Sequence, residues 1–301
     1  MTGPGGADLP DWRSYEQAEL DANYDQRTLV PDNGPYKARK TLSSARARAE
    51  LECALDVPYD ARPRERLDVF PAIASGAPVL VFIHGGAWKG GDKADVSYPA
   101  LALHPAGAAF VAVGFDTVPA VPLEAQVDQC RTAVAWLYRH ADQFGIDSTR
   151  IHVAGHSSGA HVAAMVASTD WPRFGLPPDV VRGIAPVSGM YDLEPVRHSW
   201  RNTYLGLDRI RAHALSPIHH IPQRPIPMVL GVGGEELPEF RRQGHAFAAA
   251  WLAAGQDCQA LIVEGRNHFD LGEDMGDPAS PIVHAILRQM DLRPATADPE
   301  A

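Results

Sequence analysis

One serine in this 301-residue chain stands where a nucleophile would be made. Gly155-His156-Ser157-Ser158-Gly159 follows the apolar Val153-Ala154 and leads into an alanine-rich stretch from Ala160 to Ser168, unbroken until Trp171-Pro172. A G-x-S-x-G sequence between a strand and a helix turns the chain so sharply that bulk at Gly155 or Gly159 would strike neighbouring backbone, and the serine hydroxyl projects clear of the sheet. A hydroxyl is a weak nucleophile at neutral pH. Ser157 therefore needs a base to take its proton and an acid to hold that base in the right tautomer.

The base is expected at His268, in the polar segment Glu264-Gly265-Arg266-Asn267-His268-Phe269-Asp270 directly after an apolar run ending at Val263. The other twelve histidines have plainer explanations. His104, His140, His198, His213, His245 and His284 lie in helical or irregular surface stretches. The adjacent pair His219-His220 lacks a carboxylate or cysteine pattern to complete a metal site, and no metal is expected. For the acid, the segment Gly233-Gly234-Glu235-Glu236-Leu237-Pro238-Glu239-Phe240 offers three carboxylates, and Asp270 is a fourth. Glu235 and Glu239 also suit the start of the following helix, whose dipole favours anions. Asp270 is so close to His268 in sequence that bracing the loop suits it better.

Acyl transfer also needs backbone N–H groups that reach a tetrahedral oxyanion without side-chain obstruction. Gly85 and Gly86, in His84-Gly85-Gly86-Ala87-Trp88, meet that need, and the N–H of Ser158, next after the nucleophile, supplies another donor. Trp88, Tyr191 and Phe269 flank these loops and are expected to wall an aromatic or apolar substrate site.

These groups need a scaffold. Apolar runs at 78–83, 108–113, 183–187, 227–232 and 260–263, with a short strand at 150–154, alternate with helical patterns at 123–144 and 240–254. That alternation predicts a mostly parallel sheet with helices on both faces, its strands buried on both sides. Residues 1–55 are expected to be a helical extension, with Ser14-Tyr15-Glu16-Gln17 as a capping box and a helix over 43–55. The stretch 191–225 fits neither period and reads as a lid insertion, and 294–301 as a frayed tail. All of this is expected to form one domain over 1–301. The formal charge of -10 argues against a nucleic-acid or anionic-membrane partner and for a small diffusing substrate. Met1 to Asp8 has neither a basic start nor an apolar core, so a cytoplasmic location is expected. Cys53, Cys130 and Cys258 are few, odd in number and widely spaced, and read as small buried hydrophobes.

Together, His84-Gly85-Gly86-Ala87-Trp88, Gly155-His156-Ser157-Ser158-Gly159 and Asn267-His268-Phe269-Asp270 resemble the serine α/β-hydrolases with an H-G-G-x-W oxyanion loop. Within them, Ser188-Gly189-Met190-Tyr191-Asp192-Leu193-Glu194-Pro195 and the segment from Gly233 to Gln243 are similar to the arylformamidase (kynurenine formamidase) branch and its esterase relatives. Leu20-Asp21-Ala22-Asn23-Tyr24-Asp25-Gln26-Arg27 is similar too, so the resemblance spans nearly the whole chain. It implies an α/β-hydrolase fold, Glu236 as the acid, no cofactor, and hydrolysis of a formyl or other small acyl group from an aryl formamide or ester. A glutamate stands where many relatives carry aspartate, which changes the reach to His268. General short-chain carboxylesterase activity is the main rival, and a non-catalytic ligand receptor of the same fold a third reading. Homo-oligomerisation is left open.

Overall fold

The computed structural model describes residues 10–294. The segment Met1 to Asp8 and the tail beyond Pro294 lie outside the described residues. In chain order the elements are helices α1 (Gln17–Asn23) and α2 (Gly34–Glu50), strands β1 (Ala54–Pro58), β2 (Arg66–Phe70) and β3 (Ala77–Ile83), then α3 (Ala100–Leu103), β4 (Ala109–Val113), α4 (Leu123–His140), β5 (Ile146–His156) and α5 (Ser158–Ala167). There follow β6 (Val181–Val187), α6 (Leu193–His198), α7 (Asn202–Leu205), α8 (Arg209–Ala214), β7 (Met228–Gly233), α9 (Pro238–Ala253), β8 (Cys258–Val263), α10 (His268–Asp274) and α11 (Pro281–Gln289).

The eight strands form one sheet in the order β1-β2-β4-β3-β5-β6-β7-β8. All neighbouring pairs from β4 to β8 are parallel, and β2 runs antiparallel to both β1 and β4. This is the α/β-hydrolase fold. Alternation along the central strands divides the core. Val79, Val81 and Ile83 of β3 and Val111 and Val113 of β4 belong to one apolar cluster, which takes in Val127, Cys130 and Val134 of α4. Leu80, Phe82 and Phe110 face the other cluster, with Ile282 and Ile286 of α11. Burial of each such side chain stabilises the fold by about 1.5–3 kcal/mol.

Register decides where function can sit. Ile83 pairs with Gly155, His156 with Val187, Val187 with Gly231 and Gly233 with Val263. The strands therefore end level with one another, and the segments after β3, β5, β6, β7 and β8 emerge along one carboxyl edge, where open α/β sheets bind ligands.

Several expectations are corrected. β1 and β2 were not foreseen: both are short, and Arg66 and Asp68 interrupt the apolar run. The helix expected over 43–55 is α2, which starts earlier and ends at Glu50; β1 begins within the supposed helical extension. The Ser14 capping box does not form. Ser14 Oγ donates to the Asp11 carbonyl, and the residue capping α1 is Glu16, without a side-chain cap bond. β8, expected to be buried on both faces, is an edge strand with partly exposed side chains. Cys130 is buried, but Cys53 and Cys258 are only half-buried. Among the described residues no helix is long and apolar enough to cross a membrane.

Candidate active site

Ser157 caps α5 with φ 59° and ψ −126°, a conformation in the positive-φ region that non-glycine residues avoid. Close packing holds it there. A Cβ on Gly155 would run into the Gly159 carbonyl, and one on Gly159 into the carbonyls of Ile83 and His84. The Ser157 N–H donates to the Val187 carbonyl at 2.9 Å, which anchors the turn to β6. The residue keeps 8% of its surface accessible.

Two hydrogen bonds link it to the other candidates. Ser157 Oγ lies 3.0 Å from His268 Nε2, and His268 Nδ1 lies 3.0 Å from Glu236 Oε2. His268 is the first residue of α10, placed by a capping box: the Asn267 side chain accepts from the N–H groups of Phe269 and Asp270, and the Asp270 carboxylate accepts from the Asn267 N–H. Asp270 thus ties the loop. The ring edge of Phe240 packs on the imidazole, with centroids 4.9 Å apart.

The three carboxylates after β7 separate cleanly. Glu235 is exposed. Glu239 is buried in a fork with Arg242 at 2.6 and 2.9 Å and accepts from the Tyr24 hydroxyl at 2.8 Å, so its charge is spent on structure. Glu236 turns back toward the sheet: Oε1 accepts from Ser188 Oγ and, at 2.9 Å, from the Gly233 N–H, which leaves Oε2 to His268.

The glycine loop packs against this array. A Cβ on Gly85 would sit 2.7 Å from the His156 carbonyl and 3.1 Å from Ser157 Cβ, so only glycine lets the loop come this close. Gly86, Ala87 and Trp88 all have positive φ, and the Trp88 N–H donates to Ser158 Oγ at 3.1 Å. Among the described residues, the N–H groups of Gly85 and Gly86 have no hydrogen-bond partner. The Ser158 N–H opens α5, where first-turn donors have no partner within the helix.

The aromatic wall is corrected. Trp88 is 2% exposed and donates its indole N–H to His161 Nδ1 at 3.1 Å. Tyr191 has no accessible surface; it stacks on Phe247 at 4.3 Å, and its hydroxyl accepts from the Gly189 N–H. Both support the loops from within the core. Phe269 is half-buried and packs on Tyr36, with centroids 5.4 Å apart.

Two contributors were missed. Ser188, with φ 55°, follows β6 at the same sheet edge and holds Glu236; its place after an apolar strand was the available signal. His156, the residue before the serine, is bonded through Nε2 to the His268 carbonyl at 2.8 Å. Burial pushes its pKa well down, so the ring is neutral and Nε2–H donates. Among the described residues no group of three or more His, Cys, Asp or Glu side chains is arranged to hold a metal ion.

Known proteins are similar to this chain along most of its length. The BD-FAE family model matches residues 67–174. Kynurenine formamidase of Salmo salar is 30% identical over 81% of this chain and 84% of its own length. The chain belongs to the kynurenine formamidase family. Kynurenine formamidase of Danio rerio is 28% identical over 94% of this chain and 99% of its own. Among solved structures, a candidate thioesterase from Silicibacter sp. superposes with a TM-score of 0.77 at 28% identity, covering 88% of this chain and 97% of the other. As a member of this family the chain is a hydrolase acting on small molecules.

Proposed function

We propose that Ser157, His268 and Glu236 form the catalytic triad of an acyl-transferring serine hydrolase, and that its preferred substrates are aryl formamides. The observation that carries this reading is the unbroken relay of 3.0 Å contacts from Ser157 Oγ through His268 to Glu236, beside N–H groups of Gly85 and Gly86 that have no partner among the described residues. His268 Nε2 takes the Ser157 proton as Oγ attacks the acyl carbon. The N–H groups of Gly85, Gly86 and Ser158 receive the oxyanion, and Glu236 stabilises the imidazolium. The imidazolium then protonates the leaving nitrogen, and water repeats the attack on the acyl-enzyme. The small formyl group is supported by the family's formamidases. The same relay would cleave short-chain esters, whose alkoxide leaves more readily.

The reading places the whole of 1–301 in one hydrolase domain, with 191–225 as a lid, a cytoplasmic location and no nucleic-acid partner. Turnover of N-formylkynurenine against p-nitrophenyl acetate and butyrate tests the substrate. A kcat/KM for the formamide at or above that of the acetate ester is expected. Ester turnover with no formamide cleavage would make the chain a carboxylesterase. An enzyme inert on all three, with Ser157 unreactive toward a fluorophosphonate, would make it a receptor.

A further inference from the structure

Arg201, just before α7, is only 5% exposed, yet among the described residues no carboxylate forms an ion pair with it. Its Nε and Nη2 both donate to one acceptor, the Tyr24 carbonyl, at 2.9 and 2.7 Å. Among the described residues Nη1 makes no hydrogen bond of good geometry and meets only the buried Tyr204 hydroxyl, which, like the Trp200 indole N–H beside it, has no other partner. A guanidinium held out of water with a free donor is strongly unfavourable unless an anion completes it. A second cation stands over the same rings: Lys89 Nζ lies 4.6 Å from the Tyr204 centroid and 5.4 Å from that of Trp200, and among the described residues it too forms no ion pair. In a chain of formal charge -10, two neighbouring cations without an ion-pair partner among the described residues make a spot that favours an anion.

That spot adjoins the catalytic array from both sides. The Lys89 N–H donates to the Gly86 carbonyl, and Trp88, whose ring is 6.0 Å from the guanidinium, is bonded to Ser158. From the other side, Arg201 meets Tyr24, Tyr24 packs on Phe240, and Phe240 packs on His268. Lys89 is exposed and Tyr204 half-buried, so the guanidinium lies one side-chain layer below the surface.

We propose that Arg201, Tyr204 and Lys89 form a subsite that takes a carboxylate carried on the aryl part of the substrate. This rests on the hydrolase reading above, and it makes Arg201 a specificity-determining residue. The unspent Nη1 donor of a buried guanidinium, with a phenol hydroxyl and the Lys89 ammonium close by, suits a carboxylate better than a neutral group.

The test compares kcat/KM for 3-acetoxybenzoate and phenyl acetate, a charged and a neutral ester, in the full chain. In Arg201→Gln the charged-to-neutral ratio is expected to fall tenfold or more, the size of a lost hydrogen bond to a charged group. In Lys89→Met, at the exposed side, the fall should be about threefold. A purely structural Arg201, tying the insertion to Tyr24, would lower both esters alike and leave the ratio unmoved. Should Arg201→Gln fail to fold, the Lys89→Met ratio and the decline of the wild-type ratio with salt decide the matter. Calorimetric titration with benzoate and benzamide needs no turnover: benzoate is expected to bind the wild type at least tenfold more tightly. An unchanged ratio in both variants, or equal binding of benzoate and benzamide, overturns the subsite. Benzoate binding in a chain that cleaves neither ester would refute the hydrolase reading and leave the subsite standing.

Discussion

Replacing Glu236 by glutamine probes the relay most directly, because the structure dictates which way the amide must point. Oε1 of Glu236 accepts two hydrogen bonds, from Ser188 Oγ and the Gly233 N–H, while Oε2 faces His268 Nδ1. In Glu236→Gln the amide oxygen must take the Oε1 place, since an NH2 group there would meet a backbone donor. The NH2 then faces His268 and can only donate. His268 must answer by accepting at Nδ1, which puts its remaining proton on Nε2, 3.0 Å from Ser157 Oγ, where a free lone pair is needed. The tautomer is wrong and the imidazolium loses its counter-charge. The corresponding change in a serine protease costs about 10⁴-fold in kcat, roughly 5.5 kcal/mol of transition-state stabilisation. The same order is expected here. Glu236→Asp keeps the charge but draws it back by about 1.5 Å, one carbon–carbon bond, and should cost on the order of 10²-fold. The controls flank it in sequence: Glu235→Gln, at an exposed site, should stay within about twofold, and Glu239→Gln should lose stability by unpairing Arg242 while its folded fraction keeps kcat. The assay is p-nitrophenyl acetate hydrolysis, normalised by active-site titration of Ser157. A Glu236→Gln enzyme that retains more than a tenth of wild-type kcat, or falls no further than Glu235→Gln, refutes the reasoning.

Other consequences can be checked separately. A fluorophosphonate should label wild type stoichiometrically and leave Ser157→Ala unlabelled; equal labelling of both would remove Ser157 as the nucleophile. Asn267→Ala removes the cap that places His268 and should cost about 1 kcal/mol of stability, together with a fall in kcat, read by thermal melting and ester turnover; an unchanged melt would deny the cap its role. His84, His152 and His161 are buried, and burial lowers the pKa of each from 6.5 to about 4. The unfolded chain therefore binds protons more readily than the folded one in this window. Stability is full above pH 6.5 and is lost as pH falls toward 4, by roughly 3 kcal/mol per histidine. Urea titrations at pH 7.5 and 5 that gave the same unfolding free energy would contradict this.

Position along the chain made much of the site legible. Ser157, His268 and the glycine pair each follow a run of apolar residues, and a run apolar at every position means a strand covered on both faces, whose end is where a parallel sheet places its working loops. Local chemistry went further at Asp270, whose closeness to His268 in sequence pointed to a braced loop; that Asn267 caps the same turn came only with the structure. It went astray at Trp88 and Tyr191. Nothing local tells whether an aromatic ring beside a catalytic loop faces a ligand or the protein interior, and both rings here face inward, onto His161 and Phe247. β1 and β2 escaped notice because a short strand at the antiparallel end of a sheet, with charged residues in or beside it, has little periodicity to show.

What the sequence determined by itself is the set of candidate reactive groups and their order, since strand periodicity and glycine turns are local properties. The choice among Glu235, Glu236 and Glu239 depended on family resemblance until the fold was known. Tertiary structure separates them physically: strand register brings Ser188 and His268 to the two oxygens of Glu236, Arg242 and Tyr24 occupy Glu239, and Glu235 faces water. Three neighbouring carboxylates of the same chemistry thus acquire different surroundings, because their partners come from strands and helices distant in sequence. Arg201 belongs to the same class of feature. An arginine in an irregular stretch carries no signal until the packing of the N-terminal segment, the oxyanion loop and α7 shows it buried with a donor unspent.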